Sequence, residues 1–380
     1  MYREPRLDPT ISPEEEKLEQ GTALCLSGGG YRAMLFHLGG LWRLNQLGIL
    51  GELKRVSSVS GGSIAAGVLG SRWKQLEFTR NVAQRFGELV VKPIRALASK
   101  TIDVGAIVIG TLLPGVHVSD RVEAAYRKYL FGDLTLQDLP ADGDGPRFVL
   151  NATSLQTGAL FRFSRPYMAD YLVGRFLKPK VKLAKAVAAS SAFPPFLSPV
   201  ILPLDGERYE EGSGNPAYAE FRHRAVLTDG GVYDNMGLET AWKRYETVLV
   251  SDGGARMPPE LGPAKDWARG TVRVLGVIDN QVRSLRKRIA VDAFDGKLRQ
   301  GTYFGIGTNI ADYGLPSAIP VSQEHSLQLA HFPTRLSSVP AEVQERLINW
   351  GFAVCDAAIR RWVRPAATPP SELPYPKSGI

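Results

Sequence analysis

Ala23-Leu24-Cys25-Leu26-Ser27-Gly28-Gly29-Gly30-Tyr31-Arg32-Ala33 and Val56-Ser57-Ser58-Val59-Ser60-Gly61-Gly62-Ser63-Ile64-Ala65-Ala66 are the two halves of the stretch around which the chain is organised. Each half reads as an apolar strand, a bend of small residues and the start of a helix. In the first, Leu35, Leu38, Leu41, Trp42 and Leu44 recur at three- and four-residue spacings, the period of a helix. Gly28, Gly29 and Gly30 ahead of it leave backbone N–H groups free to converge on one point, with the positive end of the helix dipole behind them. Such a loop cradles an anion. In the second, Ser60 sits at the bend. A strained turn that exposes a nucleophile needs small residues two positions to either side, and Ser58 and Gly62 meet that need. Ser58 stands where Gly-x-Ser-x-Gly has its leading glycine, and taken alone such a match is more often an ordinary turn.

Further along, His37-Leu38-Gly39-Gly40-Leu41 continues the first half, and Leu227-Thr228-Asp229-Gly230-Gly231-Val232-Tyr233-Asp234-Asn235 forms a third block. Asp229 ends a short strand, and the glycines after it let the backbone turn away; an Asp-Gly turn of no catalytic meaning has the same sequence. With Leu26–Ala33 and Ser58–Ser63 these blocks, in this order over roughly residues 20–255, resemble the patatin-like phospholipase family. The resemblance implies a three-layer α/β/α fold and lipid acyl hydrolysis by a Ser60–Asp229 dyad in which no histidine takes part. It implies an oxyanion hole at Gly28, Gly29 and Gly30, with Arg32, Gly61 and Gly62 in support. Arg32 stands at a position that is basic in the family, suited to steadying the loop or attracting a lipid phosphate. A phospholipid or other ester lipid is the implied substrate, met at a membrane surface, with no metal and no other cofactor.

Composition sets wider bounds. The 380 residues are 44% hydrophobic, enough for a large core in one domain or two. A net charge of +8 makes a membrane surface, an acidic metabolite or nucleic acid a conceivable partner and selects none; it serves solubility equally well. The motifs give no reason to expect nucleic acid. Cys25 and Cys355 make neither a disulfide framework nor a metal site. The N-terminal twenty residues carry charge and proline without an apolar run, so a cytoplasmic address, with peripheral membrane contact, is the expectation.

In order, residues 1–20 read as an exposed arm, 21–365 as one α/β domain and 366–380 as a loosely held proline-rich tail. Arg72–Glu88 reads as helical. Val104–Leu113 is apolar but too short to span a bilayer, and fits either a core helix or a cap that touches lipid. Val118–Leu130 and the alanine-rich Lys182–Ser191 read as helices, Arg147–Ser154 and Ala159–Ser164 as a hairpin, and Phe193-Pro194-Pro195-Phe196 as a stiff loop. Ala225–Thr228, Thr247–Val250 and Val272–Ile278 read as strands, Leu238–Tyr245 as a helix, and Val282–Gln300 as a basic helix. Alternating strands and helices predict a mostly parallel central sheet covered on both faces, with sites at the carboxyl ends of its strands, where Ser60 and Asp229 fall.

Three other readings share these residues. Gly28-x-Gly30-x-x-Ala33 fits a dinucleotide-binding turn, but that fold wants an acidic residue where Ser58-Val59-Ser60 stands. Ser60, Asp229 and His325 or His331 follow the Ser…Asp…His order of an α/β-hydrolase triad, although one strand is few before such an elbow. A non-catalytic scaffold would not need both catalytic positions and the glycine loop intact. His37, one turn into its helix, reads as a histidine with its bonds satisfied.

Overall fold

The structure, a computed structural model, describes residues 18–102, 118–255, 257–333 and 335–380. The expected arm lies almost wholly outside them, as does the Val104–Leu113 run. Strand β1 (Glu19–Leu26), helix α1 (Gly30–Gln46), β2 (Leu53–Val59) and α2 (Gly61–Arg72) come first, followed by the small hairpin β3 (Phe78–Thr79) and β4 (Val82–Ala83), then α3 (Lys92–Ala98) and α4 (Val118–Tyr126). The middle of the chain gives β5 (Arg147–Ser154), β6 (Leu160–Phe163), β7 (Tyr167–Asp170), β8 (Gly174–Leu177), α5 (Leu183–Ser190), β9 (Val200–Pro203), β10 (Arg208–Tyr209) and β11 (Arg224–Asp229). Short α6 (Gly231–Asp234) and α7 (Glu239–Trp242) precede β12 (Tyr245–Asp252), α8 (Trp267–Asp295), β13 (Gln300–Gly305), α9 (Gln323–Ala330) and α10 (Ala341–Trp362).

β13, β12, β1, β2 and β5 lie side by side and parallel, the core that alternating strands and helices predicted. From β5 the sheet continues antiparallel through β6, β7 and β8, because the tight connections there can only fold a strand back on its predecessor, and β10 returns later to pair antiparallel with β8. One lane matters most for the site. β2 runs along β5 as far as Val59 opposite Asn151, and β11 comes from the other direction to end with Asp229 opposite Ala152. Two strands thus meet nose to nose beside a shared neighbour.

Alternation along β1 explains the layers. Leu24 and Leu26 face a large core shared with α1, α2 and α10, whereas Ala23 and Cys25 face a smaller one with Met236, Leu238, Ala241 and Ala290. α1 and α10 cross with backbones in contact: a Cβ at Gly39 would overlap the Ile348 carbonyl, and one at Gly351 the Phe36 carbonyl.

Several expectations need correction. Arg72–Glu88 is not a helix: Arg80 and Asn81 both take positive φ, the geometry of a two-residue turn that closes β3 on β4. Val272–Ile278 is not a strand but part of the 29-residue α8; a short apolar run carries too little period to tell the two apart. Leu238–Tyr245 holds only the four-residue α7 before β12 begins. The proline-rich end is not loose. Asn349 binds the backbone of Tyr375 and Gly379, and the Tyr375 ring packs against Trp42 and beneath Arg95.

Candidate active site

Ser60 has φ 51 and ψ −118, a conformation a side chain rarely adopts, and its place as the first turn of α2 begins shows why the chain accepts it. The Ser60 N–H donates to both the carbonyl and the hydroxyl of Ser190, at 3.1 Å each. The Ser60 carbonyl accepts from Ser63 and Ile64. Beneath the bend runs a buried chain of hydroxyls. Ser190 gives its one proton to the Asn151 carbonyl (2.6 Å), so Ser63 must donate to Ser190 (2.8 Å), with Ser58 next at 3.0 Å. Asn151 in turn donates to the Ser58 carbonyl and the Ser57 hydroxyl.

Asp229 is 2% exposed. Its N–H donates to the Ala192 carbonyl, its carbonyl accepts from Thr153, and its Oδ1 accepts the Gly231 N–H at 2.7 Å. Its Oδ2 is buried and holds no fully formed hydrogen bond. Burial raises the carboxyl from its ordinary 3.8 to about 7, against the Gly231 N–H and the neighbouring Ser60 hydroxyl, which favour the charged form, while the negative charge of Asp279 adds to the rise. A carboxylate with a free oxygen and a pKa near neutrality can take a proton. The two catalytic candidates share one clamp: the Ser190 carbonyl accepts from Ser60 and also from Gly230, at 3.3 Å.

The glycine loop is divided. Gly28 N–H is already given to the Asn235 carbonyl (2.9 Å), and the Asn235 amide oxygen fills the space where a Cβ on Gly28 would lie. The N–H groups of Gly29, Gly30 and Gly61 make no hydrogen bond among the described residues. Gly61 follows the serine, and α1 and α2 both begin here with no acidic residue in their first turns, so two positive dipole ends converge uncompensated. Gly61 has no room for a side chain, since its Cβ would strike the Gly30 carbonyl. Gly61→Ala is therefore expected to push the loop from the elbow and lower ester turnover by about a hundredfold, the scale of an ångström of misplacement. The check is esterase kinetics beside circular dichroism, with full activity in a folded variant as the contrary result. Gly62 lies in the same turn, its N–H bonded to Ser27.

Arg32 is a buried strut: its guanidinium donates to the Gly253 and Phe332 carbonyls, and burial lowers its pKa to about 10. These bonds tie the start of α1 to the segments after β12 and α9. His37 is fully buried. Its Nε2 meets the Ser27 carbonyl and so carries the proton, Nδ1 accepts from Ser251, and burial lowers its pKa to about 4. His325 and His331 are exposed, and neither is hydrogen-bonded to Ser60 or Asp229. Asn151, Ser190 and Asn235 were missed as site residues. Asn235 was visible at the end of the third block, whereas nothing in an alanine-rich helix marks its last serine as a clamp.

The fold and this pair define the class: an α/β protein with a serine on a strand-to-helix elbow and a buried aspartate in the adjoining lane. The chain belongs to the patatin-like phospholipase family, whose model matches residues 24–242. Comparison with curated proteins yields no match. Among solved structures, human GIVD cytosolic phospholipase A2 in complex with methyl gamma-linolenyl fluorophosphonate is 15% identical, over 93% of this chain and 59% of that one, at TM-score 0.49. VipD from Legionella pneumophila is 14% identical over 89% and 66% at 0.34, and the type III effector ExoU 12% identical over 90% and 53% at 0.34. This chain therefore spans less than two thirds of the length of each.

Proposed function

We propose that the protein is a serine lipid acyl hydrolase that cleaves ester-linked fatty acids from glycerophospholipids through Ser60 and Asp229. The observation that carries this reading is the free, buried Asp229 oxygen beside a strained Ser60, with the carboxyl poised near pH 7. Ser60 Oγ attacks the ester carbonyl as Asp229 takes its proton. The oxyanion is held by the N–H groups of Gly29, Gly30 and Gly61, with Gly28 shaping the loop. Collapse expels the alcohol, which receives the proton from Asp229. Water, deprotonated by Asp229, then releases the fatty acid from the acyl-enzyme and regenerates Ser60. Arg32 holds the loop in place. None of these steps calls on a metal. The substrate is met at a membrane surface from the aqueous side, in keeping with the lack, among the described residues, of a helix long and apolar enough to cross a membrane.

The test is release of fatty acid from a lipid extract, identified by mass spectrometry and repeated across pH. Because Asp229 must be ionised to act as base, kcat/KM is expected to rise about tenfold per pH unit below about 7 and to level above it. Absence of any released acid, or a rate that is flat from pH 5 to 9, contradicts the reading.

A further inference from the structure

The run Val272–Ile278, apolar enough to read as a buried strand, lies in the N-terminal half of α8, where none of residues 269–282 is buried. Burial along this helix is confined to its other half, where Ala290 and Phe294 pack with Trp242 against the smaller core. Trp267, Val274, Ile278, Leu285 and Ile289 fall within a narrow arc at about 100° per residue, and all five are exposed, Trp267 to 85% and Val274 to 57%. At about 1.5 Å per residue the stripe runs about 33 Å. α10 turns the corresponding face inward: Leu347, Val354 and Ala358 are fully buried.

Charge and position narrow what covers the stripe. Residues 265–299 hold nine basic side chains against four acidic ones. Arg286 reaches the Tyr233 carbonyl, Asp234 and Glu239, and Asp279 is near enough for its charge to act on Asp229. α8 therefore passes the rim of the site. Exposed Phe193, Phe196 and Val232 stand on the two segments that hold Asp229. We propose that α8 is an interfacial helix: it lays this stripe into the headgroup boundary of an anionic lipid bilayer and brings the Ser60 site against that surface. The helix lies in the interface and does not span it. The inference rests on the lipid-hydrolase reading for its purpose, not for its test.

The basic residues of α8 are not equivalent at this surface. Arg283 is buried against the Ala255 carbonyl and Arg286 is engaged as above, which leaves Arg288 exposed to meet headgroups.

The experiment is flotation of the full chain with vesicles of phosphatidylglycerol and phosphatidylcholine, beside vesicles of phosphatidylcholine alone. Binding to the anionic vesicles is expected, weakening between about 0.15 M and about 1 M salt as the screening length falls from about 8 to about 3 Å. Val274→Glu with Leu285→Glu, both on exposed positions, is expected to lower the bound fraction about tenfold. That variant should keep its Tm and its rate on a water-soluble short-chain ester while losing rate on vesicles. Ser60→Ala should float like the unaltered chain. Undiminished binding by the double variant overturns the proposal, as does no binding to anionic vesicles. So does a dimer in light scattering that the double variant converts to a monomer, since a second copy would then be the occupant. If the chain binds as described but hydrolyses no ester, the docking surface stands and the dyad reading falls.

Discussion

Ser60→Ala is expected to abolish ester hydrolysis, by about four orders of magnitude or more, and to end labelling by a fluorophosphonate, while the protein stays folded. The fold should survive because the bend is held by the backbone of residue 60, through its N–H to Ser190 and its carbonyl to Ser63 and Ile64, none of which needs the hydroxyl. The buried chain of hydroxyls runs from Ser58 through Ser63 to Ser190 and also omits Ser60. What disappears is the hydroxyl that faces the Asp229 carboxyl. Labelling of the variant at the original rate would move the nucleophile to Ser57, Ser58 or Ser63. That outcome runs against the structure, since all three are fully buried and hydrogen-bonded.

Asp229→Asn is expected to lower turnover by two or more powers of ten, the scale of general-base catalysis, and at the same time to stabilise the fold at alkaline pH. The folded carboxyl, at about 7, lies above its ordinary 3.8, so the native state holds a proton that the unfolded state releases across that interval. Its contribution to stability is complete below pH 3.8 and is lost as pH rises to about 7. At about 1.4 kcal/mol per pH unit, about 4 kcal/mol is forfeited by pH 8. Asparagine carries no charge to desolvate and avoids that loss. The measurement pairs esterase rate with Tm at pH 5 and pH 8, the gain in Tm being expected at pH 8. A His325→Ala, His331→Ala double variant should match the unaltered enzyme. A folded but inactive double histidine variant would replace the dyad with a triad.

The candidate site was legible where geometry forces residue type. A bend that tolerates no bulk wrote Ser60-Gly61-Gly62 into the chain, and the Asn235 amide against Gly28 and the positive φ of Gly29 and Gly30 required the three glycines ahead of α1. The β1–α1–β2–α2 order followed from two apolar runs, each broken by small residues, and from the helical period of Leu35–Leu44. Positions held by backbone groups left no such mark. That Gly28 is already engaged depends on the Asn235 carbonyl, which any residue could supply. The β3–β4 turn places Arg80 and Asn81 at positive φ without the glycine that usually announces it. The apolar segment of α8 read as a strand because hydrophobicity was taken as a sign of burial, and its side chains face outward.

Among the described strands, β5 alone pairs with both β2 near Ser60 and β11 near Asp229. On the proposed dyad, a chain with β1, β2 and β5 paired but β11 not yet in place would own a nucleophile and no base. On that same dyad, the pairing of β11 with β5, which sets Asp229 opposite Ala152, supplies the base. Recovery of esterase activity after dilution from denaturant would thus time the arrival of β11. Regain of circular dichroism would time the secondary structure as a whole, and a lag of activity behind it would set the two apart.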